Sequence, residues 1–489
     1  MLFNRLVRLT NRVLPAATFI LLIAVSSCKK RDTPDPDLAG EVTNAEINRW
    51  IVDTMRYYYY WNTSIPQDRN LNFDLGPEEF FETLLNRPTD RFSWIQNAKD
   101  LKDESAGIIK TSGLSPSFIL NENNRVVMVV RYVHKGSPAD LKGIKRGDMF
   151  LGINGESWRL SGNSIANADA LFGNEPFTLE KAKLVDDDLE PDGSVSLTPV
   201  EGFRENAILL DSILETPNGT KVAYLFYNRF LFDQQQAQQL VDVFEKFKDA
   251  GVSELIVDER YNPGGYVVAA SLLSALIHPN FDINSPYIQY DYNENFVDAT
   301  DTYGDLFGRE NADLVSQRNL GLNRVFILAT GSSASASELL INNLKPFLGA
   351  NVIHIGGKTV GKDEFSIMWE SSSPRLKAND ETDWGIQPIV GKYKNANGEG
   401  DFERGLIPQY AANEANYPYA PMGSAQDRLI AAALGIIDPT IANQLKLEMG
   451  VHAQKKRVAR ELTGFNDPAV RPRPVQSIPL QDRKPIDLR

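Results

Sequence analysis

Four serines are packed into nine residues, Thr330-Gly331-Ser332-Ser333-Ala334-Ser335-Ala336-Ser337-Glu338, between the apolar run Val325-Phe326-Ile327-Leu328-Ala329 and the apolar segment from Leu339 to Leu344. The layout predicts a buried strand, a tight turn of small residues and a helix. Small residues let a backbone approach a ligand closely, and the first turn of a helix offers unbonded N–H groups to a developing anion. A serine in such a turn becomes a nucleophile only beside a base.

The choice of base is narrow, because the chain holds four histidines. His134 precedes Gly136-Ser137-Pro138, His278 precedes a proline, His354 alternates with apolar residues and His452 lies near the end of the sequence. None has a nearby acid in a recognisable triad pattern, although triads are set by geometry rather than by order. Lysine is the other known partner of a nucleophilic serine, and Lys362 follows Gly361 ahead of a second apolar-flanked stretch.

Three blocks then appear in order: Asp258-Glu259-Arg260-Tyr261-Asn262-Pro263-Gly264-Gly265, Ser333-Ala334-Ser335-Ala336-Ser337-Glu338 and Thr359-Val360-Gly361-Lys362. With them the chain resembles the tail-specific, or C-terminal processing, serine proteases over roughly residues 40 to 440. The resemblance implies a multidomain α+β chain with a helical N-terminal region, a PDZ-like β-rich domain and an α/β, ClpP/crotonase-like protease core. It implies Ser335 as nucleophile, Lys362 as general base, and an oxyanion hole from the N–H groups of Ala336 and of a glycine in Gly264-Gly265. Asp258, Arg260 and Glu338 are expected to hold turns together.

A free lysine, with a pKa of about 10.4, is useless as a base at neutral pH. Burial disfavours its charged form, and Val360, Phe365 and Ile367 are the apolar neighbours expected to bury it. Two departures from the family pattern stand out. Ser366 occupies the place, four after the lysine, where relatives carry a glutamine or glutamate that orients the dyad. On a strand, Glu364 and Ser366 would share the face of Lys362, so either is a candidate third member; an ionised Glu364 would raise the lysine's pKa. Glu259 interrupts an otherwise apolar strand, Leu255-Ile256-Val257, where relatives carry leucine.

Residues 134–155 resemble the PDZ domain inserted in this family, on Gly136-Ser137-Pro138-Ala139, Gly147-Asp148 and the hairpin pair Asn154-Gly155. PDZ domains bind extended peptides by strand addition and capture of a C-terminal carboxylate. Ser112-Gly113-Leu114 is the candidate substrate-binding loop. A domain that only packs and regulates is the other reading.

Arg5, Arg8 and Arg12 precede a mostly apolar Val13 to Val25, then Ser26-Ser27 and Cys28, the one cysteine of the chain. This resembles a bacterial lipoprotein signal, implying lipidation of Cys28 and a cell-envelope location, periplasm-facing or at the cell surface. The apolar run is short for a membrane span, and a transmembrane anchor is the weaker alternative. Once lipidated, Cys28 leaves no thiol for a disulfide, metal site or nucleophile.

The expected boundaries are a signal over 1–28, a tether over 29–40, a helical domain over 41–105, a PDZ-like domain over 106–200, the catalytic core over 201–445 and a basic, Pro-rich tail over 446–489, disordered or loosely packed. Tyr57-Tyr58-Tyr59-Tyr60-Trp61 is expected to pack helices, and Asp90-Arg91-Phe92-Ser93-Trp94 resembles the family segment leading into the PDZ domain. The acidic loop at Asp186-Asp187-Asp188 is read as solvated. Residues 279–323, rich in Asp, Asn and Tyr, are expected to form a long insertion walling the cleft. A net charge of −13 argues against nucleic-acid binding, and no metal or cofactor is implied. The expected function is a cell-envelope serine endopeptidase acting on protein or peptide substrates through a lipid-anchored chain. The alternatives are a non-catalytic peptide-binding lipoprotein adaptor with the same fold, and hydrolysis of an ester or a cell-wall peptide.

Overall fold

The computed structural model describes residues 41–441, apart from 122–123, 163, 186–187, 415–416 and 418, together with 460–461 and 475–476. Cys28, the signal, the tether, His452 and most of the tail lie outside the described residues. Among the described residues no helix is long and apolar enough to cross a membrane.

The core is a six-stranded sheet in the order Ile208–Glu215, Lys221–Tyr227, Glu254–Asp258, Val325–Ala329, Val352–Gly356, Tyr410–Ala411. The first pair is antiparallel and the rest are parallel. Central strands such as Val325–Ala329 are apolar throughout because both sheet faces are covered. One face carries the helices Gln234–Asp249, Val267–Ile277 and Ala336–Leu348; the other carries Arg428–Ile437. Gln234–Asp249 starts where the Asp233 carboxylate accepts the Gln236 N–H at 2.8 Å, and Arg428–Ile437 starts at Asp427, which caps Leu429 in the same way. The chain therefore leaves the strands Glu254–Asp258 and Val325–Ala329 at their carboxyl ends and at one rim of the sheet, where open α/β sheets place their sites.

Residues 279–323 are not a loop. They contain the strands Pro286–Tyr292 and Ala299–Thr302 and the helices Tyr303–Phe307 and Ala312–Arg318. Tyr287, Ile288, Tyr303, Phe307 and Val315 are buried in the main core. The aromatic residues that made this stretch look like an insertion are its packing surface. Pro286–Tyr292 pairs with Ile389–Asn395, which pairs with Glu364–Ser366, so the segment becomes part of the second sheet beside the site.

The PDZ-like unit is a sheet in the order Asp188–Leu197, Phe177–Val185, Met149–Ile153, Val126–Val133, Leu114–Leu120. Asn154-Gly155 makes its two-residue turn with positive φ at both residues. Arg146 leaves this unit and enters the core, bonding Tyr261 Oη at 2.9 Å, Ala420 O at 2.9 Å, Asp427 at 3.3 Å and Glu414. Arg260, fully buried, meets the same acids and Asp258. Against the cost of burial, Arg260 and Arg146 hold Glu414 down to about 2.

The helix Asn44–Tyr58 opens with a capping box between Thr43 and Glu46. Tyr59 is buried and donates to Asp90 Oδ2 at 2.8 Å, and Tyr58 stacks on Trp369. The tyrosine run therefore packs this helix against its neighbours.

Candidate active site

Ser335 sits at the N-cap of Ala336–Leu348 with φ +62°. A non-glycine residue holds that conformation only when its surroundings over-determine it. Here they do. The loop 258–265 is laced to the serine loop: Asn262 O accepts the Ala334 N–H at 3.1 Å and the Ser337 hydroxyl at 3.0 Å, and Glu259 O accepts the Ser333 hydroxyl at 2.7 Å. Gly264 lies so close that a Cβ there would stand 2.7 Å from Ser335 Cβ. At Gly265 a Cβ would stand 2.1 Å from Phe230 O, so neither position admits a side chain.

One carboxylate ties the two candidate groups together. Glu338 Oε2 accepts the backbone N–H of Ser335 at 2.9 Å and of Lys362 at 2.8 Å; Oε1 accepts the Gly361 N–H at 2.6 Å and the Thr359 hydroxyl. Burial pushes the Glu338 carboxyl up while these four donors oppose it. On the other side, the buried Tyr393 hydroxyl lies 3.1 Å from Ser335 O and 2.9 Å from Lys362 O. The sequence marks Glu338 as a holder of turns, and the structure shows which turns it holds. Tyr393, inside Ile389–Asn395, carries no sequence signal of this role.

Lys362 is completely buried, and burial pushes its amine down to about 7 despite the nearby Glu364, Asp90 and Glu338 carboxylates. Its Nζ lies 4.6 Å from the Phe92 ring centroid. The segment expected to lead into the PDZ domain thus covers the lysine: Arg91 bonds Gly361 O and Glu403 O, and the Ser93 hydroxyl accepts the Ile389 N–H at 2.8 Å. Phe365, expected to bury the amine, packs instead against Tyr290 and Tyr292. Ser335 Oγ and Lys362 Nζ each have no hydrogen-bond partner among the described residues, so the two are not bonded to each other.

The third-member candidates separate. Burial, then Asp363, pushes the Glu364 carboxyl up to about 7, and its Oε2 has no partner. Ser366 Oγ instead accepts Gln387 Nε2 at 3.1 Å, from the strand Trp384–Gln387 of another sheet. Gln387 was not singled out by the sequence. Of the expected oxyanion glycines, Gly264 spends its N–H on Asn262 Oδ1 at 2.9 Å. The Ser112-Gly113-Leu114 loop lies at the start of a PDZ strand, and the Gly113 N–H is donated to Thr111 Oγ1 at 2.8 Å. The described histidines lie elsewhere: His134 beside Glu205, His278 stacked on Phe347, His354 in the sheet. No metal-binding cluster occurs among the described residues.

Glu259 is fully buried with neither carboxylate oxygen bonded, and burial, then Asp258, raises its pKa well above the usual range. The folded protein therefore holds a proton there that the unfolded chain releases near pH 4.5. Stability is lost as pH rises above that value toward the raised folded pKa. Glu259→Leu is expected to add about 2 kcal/mol at pH 7 and to flatten this slope. Urea unfolding across pH 5 to 8 tests it, and an unchanged or lowered midpoint at pH 7 counts against it.

A strained serine at a helix start, a buried lysine behind it and a PDZ-like body clasped to the core make up this architecture. Residues 221–412 match peptidase family S41, residues 46–94 its N-terminal domain and residues 129–172 a PDZ domain. It is 24% identical over 302 residues to the carboxy-terminal processing protease CtpA of Bacillus subtilis, covering 62% of this chain and 56% of that one. It is 25% identical over 334 residues to the chloroplastic carboxyl-terminal-processing peptidase 3 of Arabidopsis thaliana, covering 66% and 60%. The chain thus spans less than two thirds of these relatives' lengths. In structure it is similar to an assigned S41 protease of Bacteroides fragilis, with a TM-score of 0.66 and 25% identity over 83% of this chain and 99% of that one.

Proposed function

We propose that the chain is a serine endopeptidase of the bacterial cell envelope, held to a membrane by a lipid on Cys28. It cleaves protein substrates that its PDZ domain engages. In this reading Ser335 Oγ attacks a peptide carbonyl while Lys362 takes its proton. The tetrahedral anion is met by the N–H groups of Gly265 and Ala336, neither of which has another acceptor among the described residues. Collapse expels the amine, protonated by Lys362, and leaves an acyl-enzyme. Water, deprotonated by the same lysine, then releases the acid. Glu364 is proposed as the group that orients the lysine, while Ser366 acts with Gln387 as packing around it.

The observation that carries the reading is the Lys362 amine, wholly buried and brought down to about 7, with its backbone pinned to that of Ser335 through Glu338. A non-catalytic adaptor is favoured by one fact, the missing Ser335–Lys362 hydrogen bond. In apo enzymes such bonds are often long and tighten only around substrate. Ser335→Ala separates the two. It is expected to abolish both cleavage of a denatured protein and labelling by a fluorophosphonate, without moving the thermal midpoint by more than a few degrees. Failure of the native chain to label or cleave would leave the adaptor.

A further inference from the structure

The tail, expected to be disordered or loosely packed, pairs at two described places. Arg460–Glu461 adds antiparallel to the PDZ strand Leu114–Leu120, opposite Leu120 and Ile119. Val475–Gln476 adds parallel to Glu364–Ser366, opposite Phe365 and Ser366, on the strand that begins two residues after Lys362. In both cases the tail takes the outermost position of its sheet. Without it, Leu114–Leu120 and Glu364–Ser366 would be edge strands presenting unpaired N–H and C=O groups, which are templates for an extended peptide. The first is the strand that follows the Ser112-Gly113-Leu114 loop; the second flanks the candidate lysine.

We propose that Arg460–Glu461 and Val475–Gln476 act as intramolecular ligands of the peptide path, one on each edge, which a substrate displaces before it is cut. The proposal rests on the protease reading for what the path does, and on backbone pairing for what fills it. Charge favours the same occupant. Residues 446–489 carry ten basic and five acidic side chains, while the whole chain has a net charge of −13, so the body holds the acidic surplus. Covalent attachment adds a high effective concentration, which lets short, individually weak strand pairings persist. Raised salt is expected to loosen the tail, since part of its attraction is between screened charges.

The test keeps the full chain. Proline has no N–H and breaks a strand ladder, so the double variant Glu461→Pro/Gln476→Pro unseats the tail without touching the site. In a Ser335→Ala background, a fluorescent peptide of residues 455–480 is titrated against the native tail and the proline tail. The expected result is binding about tenfold tighter to the proline variant, as the competing segment is removed. In the Ser335 protein the KM for a denatured substrate is expected to fall by a similar factor with kcat held. Equal peptide affinity in the two proteins overturns the proposal, whether or not the chain cleaves anything. An affinity difference that depends on protein concentration also overturns it, because the tail would then sit on a second copy. Tighter peptide binding without any cleavage in the Ser335 protein would sustain the tail's role and remove the protease reading alone.

Discussion

Lys362→Met should leave a folded chain whose turnover is lower by roughly 10⁴-fold or more, the loss typical of deleting one member of a nucleophile–base unit. The side chain is fully buried over the Phe92 ring, so an apolar replacement of similar length fills the same space and spares the desolvation of an amine. Stability is therefore expected to hold or rise as activity disappears, an opposition that a misfolded variant does not show. The native protein supplies the companion measurement. Only the neutral amine accepts a proton, and burial has brought it down to about 7, so kcat/KM should climb with pH through that region. A limb centred near the ordinary lysine value of about 10.4, or substantial activity in Lys362→Met, would remove the lysine from the mechanism.

Glu338→Ala is the second large effect, and it falls on stability. The carboxylate accepts three backbone N–H groups, those of Ser335, Gly361 and Lys362, together with the Thr359 hydroxyl. Each buried donor left unsatisfied costs about 1–3 kcal/mol. Water entering the gap recovers part of that, leaving an expected loss of about 4 kcal/mol with activity lost as well. Glutamine is no rescue, since its amide turns hydrogens toward donors. Denaturant unfolding of both variants measures this, and a loss below about 1 kcal/mol would show that the serine and lysine loops hold their shape without the acid.

Much of this site was legible in the sequence because it is local. Val325–Ala329, the serine turn and the following helix are one contiguous stretch, and their apolar and small-residue pattern dictates strand, turn and helix together. The pairing of Ser335 with Lys362 came from the resemblance, and the structure shows Lys362 buried, as a base role would require. Less legible were contributions made across the fold. Phe92 reaches the amine from a segment 270 positions earlier, and Tyr393 meets both loops from another strand. Nothing in their own neighbourhoods distinguishes them from ordinary packing residues. Residues 279–323 were misread for a related reason. Asp and Asn there start turns and caps, as Thr302 and Asp305 do for Tyr303–Phe307, so a polar composition conceals regular structure.

The Arg146 clasp has a further consequence. Two guanidinium groups and three acids, Asp258, Glu414 and Asp427, share one water-poor enclosure with a surplus of one negative charge. Withdrawing the PDZ body would carry off one of the two cations and double that surplus around Arg260. Glu414, no longer restrained by Arg146, would then bind a proton more readily. Separation of the two bodies would accordingly take up hydrogen ions, and acid would favour the parted state.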